Sequence, residues 1–154
     1  MQVIGLGANN PQTIKILNRI KKNNPNFNFL GFIDNDESKW NTDFYSYPVF
    51  GGIDIIPQIN NADTFFCNFI TRNTLVRYET TIELLKKNVK LTNIIDPSVD
   101  MDMVQIGVGN YIQENVNLQA NCEIGNNTSI MSSLISHETK IGDSSFITVN
   151  CSIA

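Results

Sequence analysis

The chain contains one histidine, His137, followed directly by the carboxylate of Glu138. A neutral imidazole near pH 7 is the natural acceptor for a proton leaving an amine or hydroxyl nucleophile. An adjacent carboxylate can orient the ring or raise its basicity. A lone histidine is most often a plain surface residue, so residue type leaves both readings open. A second constellation is Gly5-Leu6-Gly7, which runs through Ala8-Asn9-Asn10 to Pro11. Glycines let backbone approach an anion closely, and a following helix N-terminus offers free N–H donors. Position 10 is Asn, so a complete G-x-G-x-x-G is absent and a ligand-free turn remains an equal alternative. The third candidate is Asp34, ahead of Asn35 and Asp36 at the end of an apolar run. A carboxylate there can accept hydrogen bonds from ribose or sugar hydroxyls, or it can be a solvated turn residue.

These residues need elements to hold them. Residues 2–6 read as a short buried strand, with the glycines as its turn and Pro11 in the first turn of a helix. That helix carries Ile14, Leu17 and Ile20, with Ile16, on its inner face and ends by Asn23-Asn24-Pro25. Residues 27–33 form a second strand and residues 45–50 a short one. Gly51-Gly52 then opens a small helical turn through Ile53, Ile55 and Ile56. Residues 64–69 are an almost wholly apolar strand. Residues 73–87 form a second long helix with Leu75, Tyr78, Ile82 and Leu85 at helical spacing, and residues 90–95 a last strand closed by Asp96-Pro97. Apolar strands alternating with helices predict a small parallel α/β domain. Its turn glycines and Asp34 then share one sheet edge.

From Ile106 onward the grammar changes. An aliphatic residue returns every six positions: Ile106, Ile112, Leu118, Ile124, Ile130, then Ile135, Ile141, Ile147 and Ile153, with one step, Ile130 to Ile135, a residue short. This period fits neither a helix nor a simple alternating strand, but it fits a parallel β-helix of stacked short strands. Two domains are expected: residues 1–96, Rossmann-like, and residues 97–154, a β-helix. Asn suits the left-handed corners of such a coil, although Asn is abundant throughout the chain.

Bulk properties exclude several classes. Hydrophobic residues make up 42% and charged residues 17%, which suits a folded chain. A formal net charge of −4 and thin Lys/Arg clusters argue against nucleic-acid binding. No apolar run approaches membrane-spanning length and no signal peptide is legible, so no membrane insertion is expected. Cys67, Cys122 and Cys151 are odd in number and far apart, without CxxC spacing. They predict no metal site and suit reduced thiols in the cytoplasm.

Five segments carry a resemblance: Val3-Ile4-Gly5-Leu6-Gly7, Gly31-Phe32-Ile33-Asp34-Asn35-Asp36, Tyr47-Pro48-Val49-Phe50-Gly51-Gly52, Asn93-Ile94-Ile95-Asp96-Pro97-Ser98, and Ile135-Ser136-His137-Glu138 with Ile141-Gly142-Asp143. In this order and spacing they resemble the bacterial sugar O- and N-acyltransferases with a Rossmann-like N-terminal domain and a left-handed β-helix of hexapeptide repeats. That family includes sialic acid O-acetyltransferases and N-acetyltransferases of nucleotide-linked 4-amino sugars. The resemblance implies that His137 is the general base and Glu138 its partner. It implies a nucleotide sugar along Gly5, Gly7, Ala8 and Asn9, with Asp34 and Asn35 nearby. It also implies acetyl-CoA as acyl donor, bound between β-helices of a homotrimer, in cell-surface glycan biosynthesis.

The chain departs from the family pattern in four places. Ala8-Asn9 replaces the usual Gly-His of the turn. The hexad before His137 is short. Phe146 stands, in the acetyl-CoA vicinity, where many members have a second histidine. The ladder reaches Ala154 in fewer than three full turns, which predicts a truncated β-helix lacking coils that hold CoA. The sequence therefore supports an acetyltransferase of a nucleotide-activated amino sugar. Its alternatives are a sialic acid O-acetyltransferase or a non-catalytic sugar-nucleotide-binding or trimer-scaffolding protein. An NAD-binding domain fused to a β-helix fits less well, because the glycine pattern is incomplete.

Overall fold

The computed structural model describes residues 1–154. Its first strand, β1 (Gln2–Leu6), buries Val3, Ile4 and Leu6 almost completely. An unalternating apolar run is what a parallel strand covered on both faces requires. Helix α1 (Pro11–Asn23) follows. Asn10 caps it by accepting from the Gln12 amide at 2.9 Å, Pro11 occupies its first turn, and Lys21 and Lys22 sit in the last turn, where cations suit the dipole. It buries Thr13, Ile14, Ile16 and Leu17.

Strand β2 (Asn28–Ile33) lies parallel to β1. The strand expected over residues 45–50 is instead a hairpin of two short strands, β3 (Asp43–Phe44) and β4 (Tyr47–Pro48). Tyr45 and Ser46, both at positive φ, make its turn. Beyond Pro48, Val49 donates to the Thr42 carbonyl at 2.8 Å, accepts from the Asn41 amide at 2.9 Å, and makes a parallel bridge to Phe32. After the single turn α2 (Ile56–Ile59), β5 (Thr64–Asn68) pairs with the other edge of β1. Helix α3 (Thr74–Lys86) leads to β6 (Lys90–Leu91), completing a parallel sheet of order β2-β1-β5-β6.

Helix α3 differs from its sequence pattern. Leu75, Tyr78 and Leu85 are exposed and Ile82 is half-buried, while the inner face is Arg77, Thr80, Thr81 and Leu84. On that face Arg77 meets backbone carbonyls of both domains and Thr81 bonds the Asn127 side chain. Hydrogen-bond donors satisfy those carbonyls and an aliphatic stripe could not.

The second domain is a left-handed parallel β-helix. Its rungs are β7 (Ile94–Ile95), β8 (Gln105–Ile106), β9 (Tyr111–Ile112), β10 (Asn117–Leu118), β11 (Glu123–Ile124), β12 (Ser129–Ile130), β13 (Leu134–Ile135), β14 (Lys140–Ile141), β15 (Phe146–Ile147) and β16 (Ser152–Ile153). They stack into three sheets: β7-β9-β12-β15, β8-β11-β14 and β10-β13-β16. Every aliphatic residue of the six-residue ladder closes one rung and points into the core, where Ile124, for example, is in register with Ile106 and Ile141. Three residues before it the chain turns a left-handed corner, most often at Asn: Asn115, Asn121, Asn127 and Asn150 all have positive φ.

The short step leaves this register intact. Ile135 pairs with Leu118 below and Ile153 above. The missing residue comes out of the corner, where Ser132 has φ 29 while Asn121 has φ 62. The Ser133 hydroxyl repairs the corner by accepting from the Cys151 amide at 3.1 Å and donating to the Thr148 carbonyl at 2.5 Å.

Candidate functional site

Strand β2 lies on one side of β1 and β5 on the other, so the loops leaving the carboxyl ends of β1 and β5 diverge. Such a switch point in a parallel sheet is where α/β domains open a crevice. Here residues 9–12 and residues 69–73 form its two walls. The β-helix supplies the third wall from its β9-β12-β15 side. Gln113, Met131 and Thr148 each follow a core isoleucine on successive coils, and Phe146 and Val149 lie alongside. The resulting cleft has a volume of about 750 Å3.

Its electrostatics favour an anion. The capped N-termini of both α1 and α3 open onto it through Asn10 and Asn73, Arg72 lines it, and no carboxylate does. Two helix N-termini and one guanidinium favour the same sign of charge. No three His, Cys, Asp or Glu side chains gather anywhere to hold a metal. Its apolar lining includes Phe69, Ile70, Met131, Phe146 and Val149.

The glycine turn is built from within. Gly7 has φ +102, and a Cβ on Gly5 would lie 2.3 Å from the Phe69 ring. Asp34 is buried, and its carboxylate accepts from the Ala8 amide at 2.8 Å, the Asp36 amide at 2.9 Å and the Lys39 ammonium at 2.9 Å. Lys39 also donates to the Asn9 side chain. Asp34 is therefore a strut that holds the turn shut against β2, with its lone pairs largely engaged. Of Gly5, Gly7, Ala8, Asn9, Asp34 and Asn35, only Asn9 lines the cleft. Gly5, Gly7, Ala8 and Asp34 shape the turn behind it, and Asn35 is exposed.

Two polar clamps fix the β-helix against this turn. Arg77 is fully buried without a carboxylate partner. Its guanidinium donates to the carbonyls of Asn68 and Ile70 in the first domain and to those of Gly109 and Asn127 in the second. Burial pushes its pKa down to about 10, which leaves it charged at neutral pH. On the other side, Arg19 of α1 donates to Asp96 at 2.6 Å and to Glu114 at 3.0 Å, and Glu114 accepts from Gln12 of the cleft wall. Desolvation would raise the Asp96 carboxyl, but hydrogen bonds from Ser98 and from Arg19 outweigh it and hold the group below its usual range. Thr13 and the buried Tyr111 hydroxyl, 2.9 Å apart, add a third link, and burial pushes the phenol up.

His137 and Glu138 lie elsewhere, in the corner after β13 on the β10-β13-β16 sheet, and neither lines the cleft. Both side chains are exposed, at 68% and 74%, and His137 Nδ1 stands 3.9 Å from Glu138 Oε2, beyond hydrogen-bond reach. The backbone beneath them is held: Gln119 Oε1 accepts from the His137 amide at 3.1 Å. Glu138 occupies a left-handed corner, φ 61, where several equivalent corners have Asn. Phe146, by contrast, is in the cleft. The chain thus brings together Asn9, Arg72, Gln113 and Phe146, but not His137. Sequence reasoning passed over Arg72 and Gln113. Arg72 was open to inference, because it follows the third apolar strand on the same edge as the glycine turn. For Gln113 the signal was a long polar side chain at a ladder position often held by Gly.

A second, shallower groove of about 410 Å3 runs along the β8-β11-β14 sheet. Its floor is glycine at three successive rungs, Gly107, Gly125 and Gly142, flanked by a Lys140–Glu123 ion pair at 2.9 Å.

No protein-family model matches the chain, and no curated protein matches it by sequence. Solved structures do match. The acetyltransferase domain of PglB from Neisseria gonorrhoeae superposes with a TM-score of 0.80 at 13% identity, covering 99% of this chain and 73% of that one. PerB from Caulobacter crescentus, solved with CoA and GDP-perosamine, gives 0.75 at 17% identity over 99% and 68%. WeeI from Acinetobacter baumannii gives 0.72 at 24% identity over 94% and 68%. At these identities the likeness establishes a shared fold, a parallel α/β domain followed by a hexapeptide-repeat β-helix.

Proposed function

We propose that this chain is an acetyl-CoA-dependent acetyltransferase acting on a nucleotide-linked amino sugar in cell-surface glycan biosynthesis. The cleft at the sheet's switch point carries the reading. Two helix N-termini and Arg72, with no opposing carboxylate, suit the diphosphate of a nucleotide sugar, and a volume of about 750 Å3 leaves room for the sugar. PerB, of the same fold, was solved with a nucleotide sugar and CoA, and the PglB domain with acetyl-CoA.

In this reading His137 is the general base. Its imidazole accepts the proton released as the sugar amine becomes a nucleophile, and Glu138 closes onto the ring to hold its tautomer and favour the imidazolium. Because His137 and the cleft occupy different faces of one protomer, the complete site requires a second copy, as in a homotrimer with β-helices side by side. Bound acetyl-CoA supplies an acetyl group activated as a thioester. In this reading its extended arm lies along the groove of the β8-β11-β14 sheet, which Gly107, Gly125 and Gly142 line. Lys140, paired with Glu123, is the cation there, and Asp143 lines the same groove.

A second reading is a nucleotide-sugar-binding protein without catalysis. It is favoured by one observation: no histidine or carboxylate lines the cleft, so a lone protomer has no proton acceptor there. Labelled acetyl transfer from acetyl-CoA to UDP-, GDP- and CMP-linked amino sugars, with light scattering of the same sample, separates the two. Transfer by a trimer that is lost in His137→Ala supports the enzyme. Calorimetric binding of nucleotide sugar with no transfer, and no effect of His137→Ala, sinks it.

A further inference from the structure

Two buried side-chain polar atoms lack a hydrogen-bond partner, Nε2 of Gln113 and Oγ of Ser129. Both belong to the β9-β12-β15 side of the β-helix that faces the first domain, and Ser129 is in register with Phe146. Gln113 itself lines the cleft and is 3% exposed. A buried donor left unpaired is costly, and folded proteins rarely keep one that a ligand or water does not use. Replacing Gln113 by an apolar residue of similar length would remove that cost, so its presence calls for an occupant.

The position of Gln113 narrows the occupant. The helix N-termini and Arg72 sit on the walls made by the first domain, whereas Gln113 shares the opposite wall with Met131 and Phe146. An aromatic ring beside a thioether offers apolar surface to the C–H face of a pyranose, not to a phosphate. Met131, one coil above Gln113 and unbranched, can shift to admit a ligand atom to the amide. We infer that Gln113 and Phe146 form the sugar subsite: Phe146 packs on the ring face and the Gln113 amide donates to a hydroxyl oxygen of the hexose. This rests on the nucleotide-sugar reading of the cleft and makes Gln113 a specificity-determining residue within it.

Calorimetry with GDP-perosamine and a UDP-linked 4-amino hexose, each against GDP or UDP alone, tests the assignment on wild type, Gln113→Met and Gln113→Glu. Both variants should bind the nucleotide sugar about tenfold more weakly, the value of one lost hydrogen bond. Binding of the bare nucleoside diphosphate to Gln113→Met should stay within about twofold of wild type. The melting temperature of ligand-free Gln113→Met should hold or rise. A clear fall in that temperature assigns Gln113 a structural role and overturns the inference. So do equal losses for sugar-bearing and bare nucleotides, or a Gln113→Glu variant that binds like wild type. If wild type binds the nucleotide sugar and Gln113→Met binds it equally well, only this assignment falls. If wild type binds neither nucleotide nor nucleotide sugar, the reading of the cleft falls and takes the subsite with it.

Discussion

Arg77→Met should be the most damaging conservative change in this chain. Methionine fills much of the same space but donates nothing, so the buried carbonyls of Asn68, Gly109 and Asn127 and the partly buried one of Ile70 lose their donor together. An unsatisfied buried acceptor costs about 1–3 kcal/mol. Removing the guanidinium recovers its own desolvation penalty, several kcal/mol for a buried ion, so the net loss falls near about 3–5 kcal/mol. For a chain of this size each kcal/mol moves Tm by roughly 2–4 °C, which places the drop on the order of 6–20 °C. Calorimetric melting of wild type, Arg77→Met and Arg77→Lys measures it. Lysine keeps the charge but not the planar fork, and one ammonium cannot reach acceptors on two domains at once, so it should rescue little. Hydrogen exchange should accelerate in residues 69–73, because Ile70 is one of the four acceptors. An Arg77→Lys protein as stable as wild type, or an Arg77→Met protein that melts within about 3 °C of it, would refute the clamp.

Three further outcomes are expected. Asp96 is held below its ordinary value of 3.8, so its ionised form stabilises the fold fully above that pH, and the contribution disappears as pH falls through the folded value. Acid titration of stability should show this loss in wild type, and Asp96→Asn should be weaker by about 1–3 kcal/mol at pH 7 with a flatter acid limb. Gly125→Ala sets a Cβ 2.3 Å from Asp143 Oδ1 and 2.8 Å from its amide nitrogen, whereas Gly142→Ala meets nothing within 4 Å. Urea melts should show a loss of about 1–3 kcal/mol for the first and within about 0.5 for the second. His137→Gln should lower acetyl transfer by about 10²–10⁴-fold and shift stability by less than about 0.5 kcal/mol, because the side chain is 68% exposed. A large fall in Tm would instead make His137 a structural residue.

The β-helix was readable because its contacts repeat along one dimension. Each core residue touches the equivalent residue one coil away, so a spatial repeat becomes a period in the sequence. The short step at Ile130 to Ile135 shows the limit of that reading. A missing residue could displace every later rung, yet the corner at Ser132 and the Ser133 hydroxyl absorb it and Ile135 stays in register. Helix α3 shows the opposite limit. Its Leu75, Tyr78 and Leu85 have the spacing of a core stripe but are exposed, because the inner face was chosen by carbonyls that leave no mark in residue type. Asp34 had the right place for a ligand contact, but its lone pairs meet Ala8, Asp36 and Lys39.

By itself the sequence determined the local elements and the architecture: the β1 turn and the helix that Pro11 opens, the parallel α/β order, and the ladder from Ile106 to Ile153. Each of these depends on neighbours at fixed, short separation or on a strict period. Only the tertiary structure decided what the cleft contains. Arg72 and Gln113 are 41 residues apart and meet because Arg77 and Arg19 lock one domain against the other. It also decided that His137 stands on a different face of the coil from that cleft. Such placements depend on where two rigid bodies dock, and docking is set by buried hydrogen bonds between residues distant in the chain.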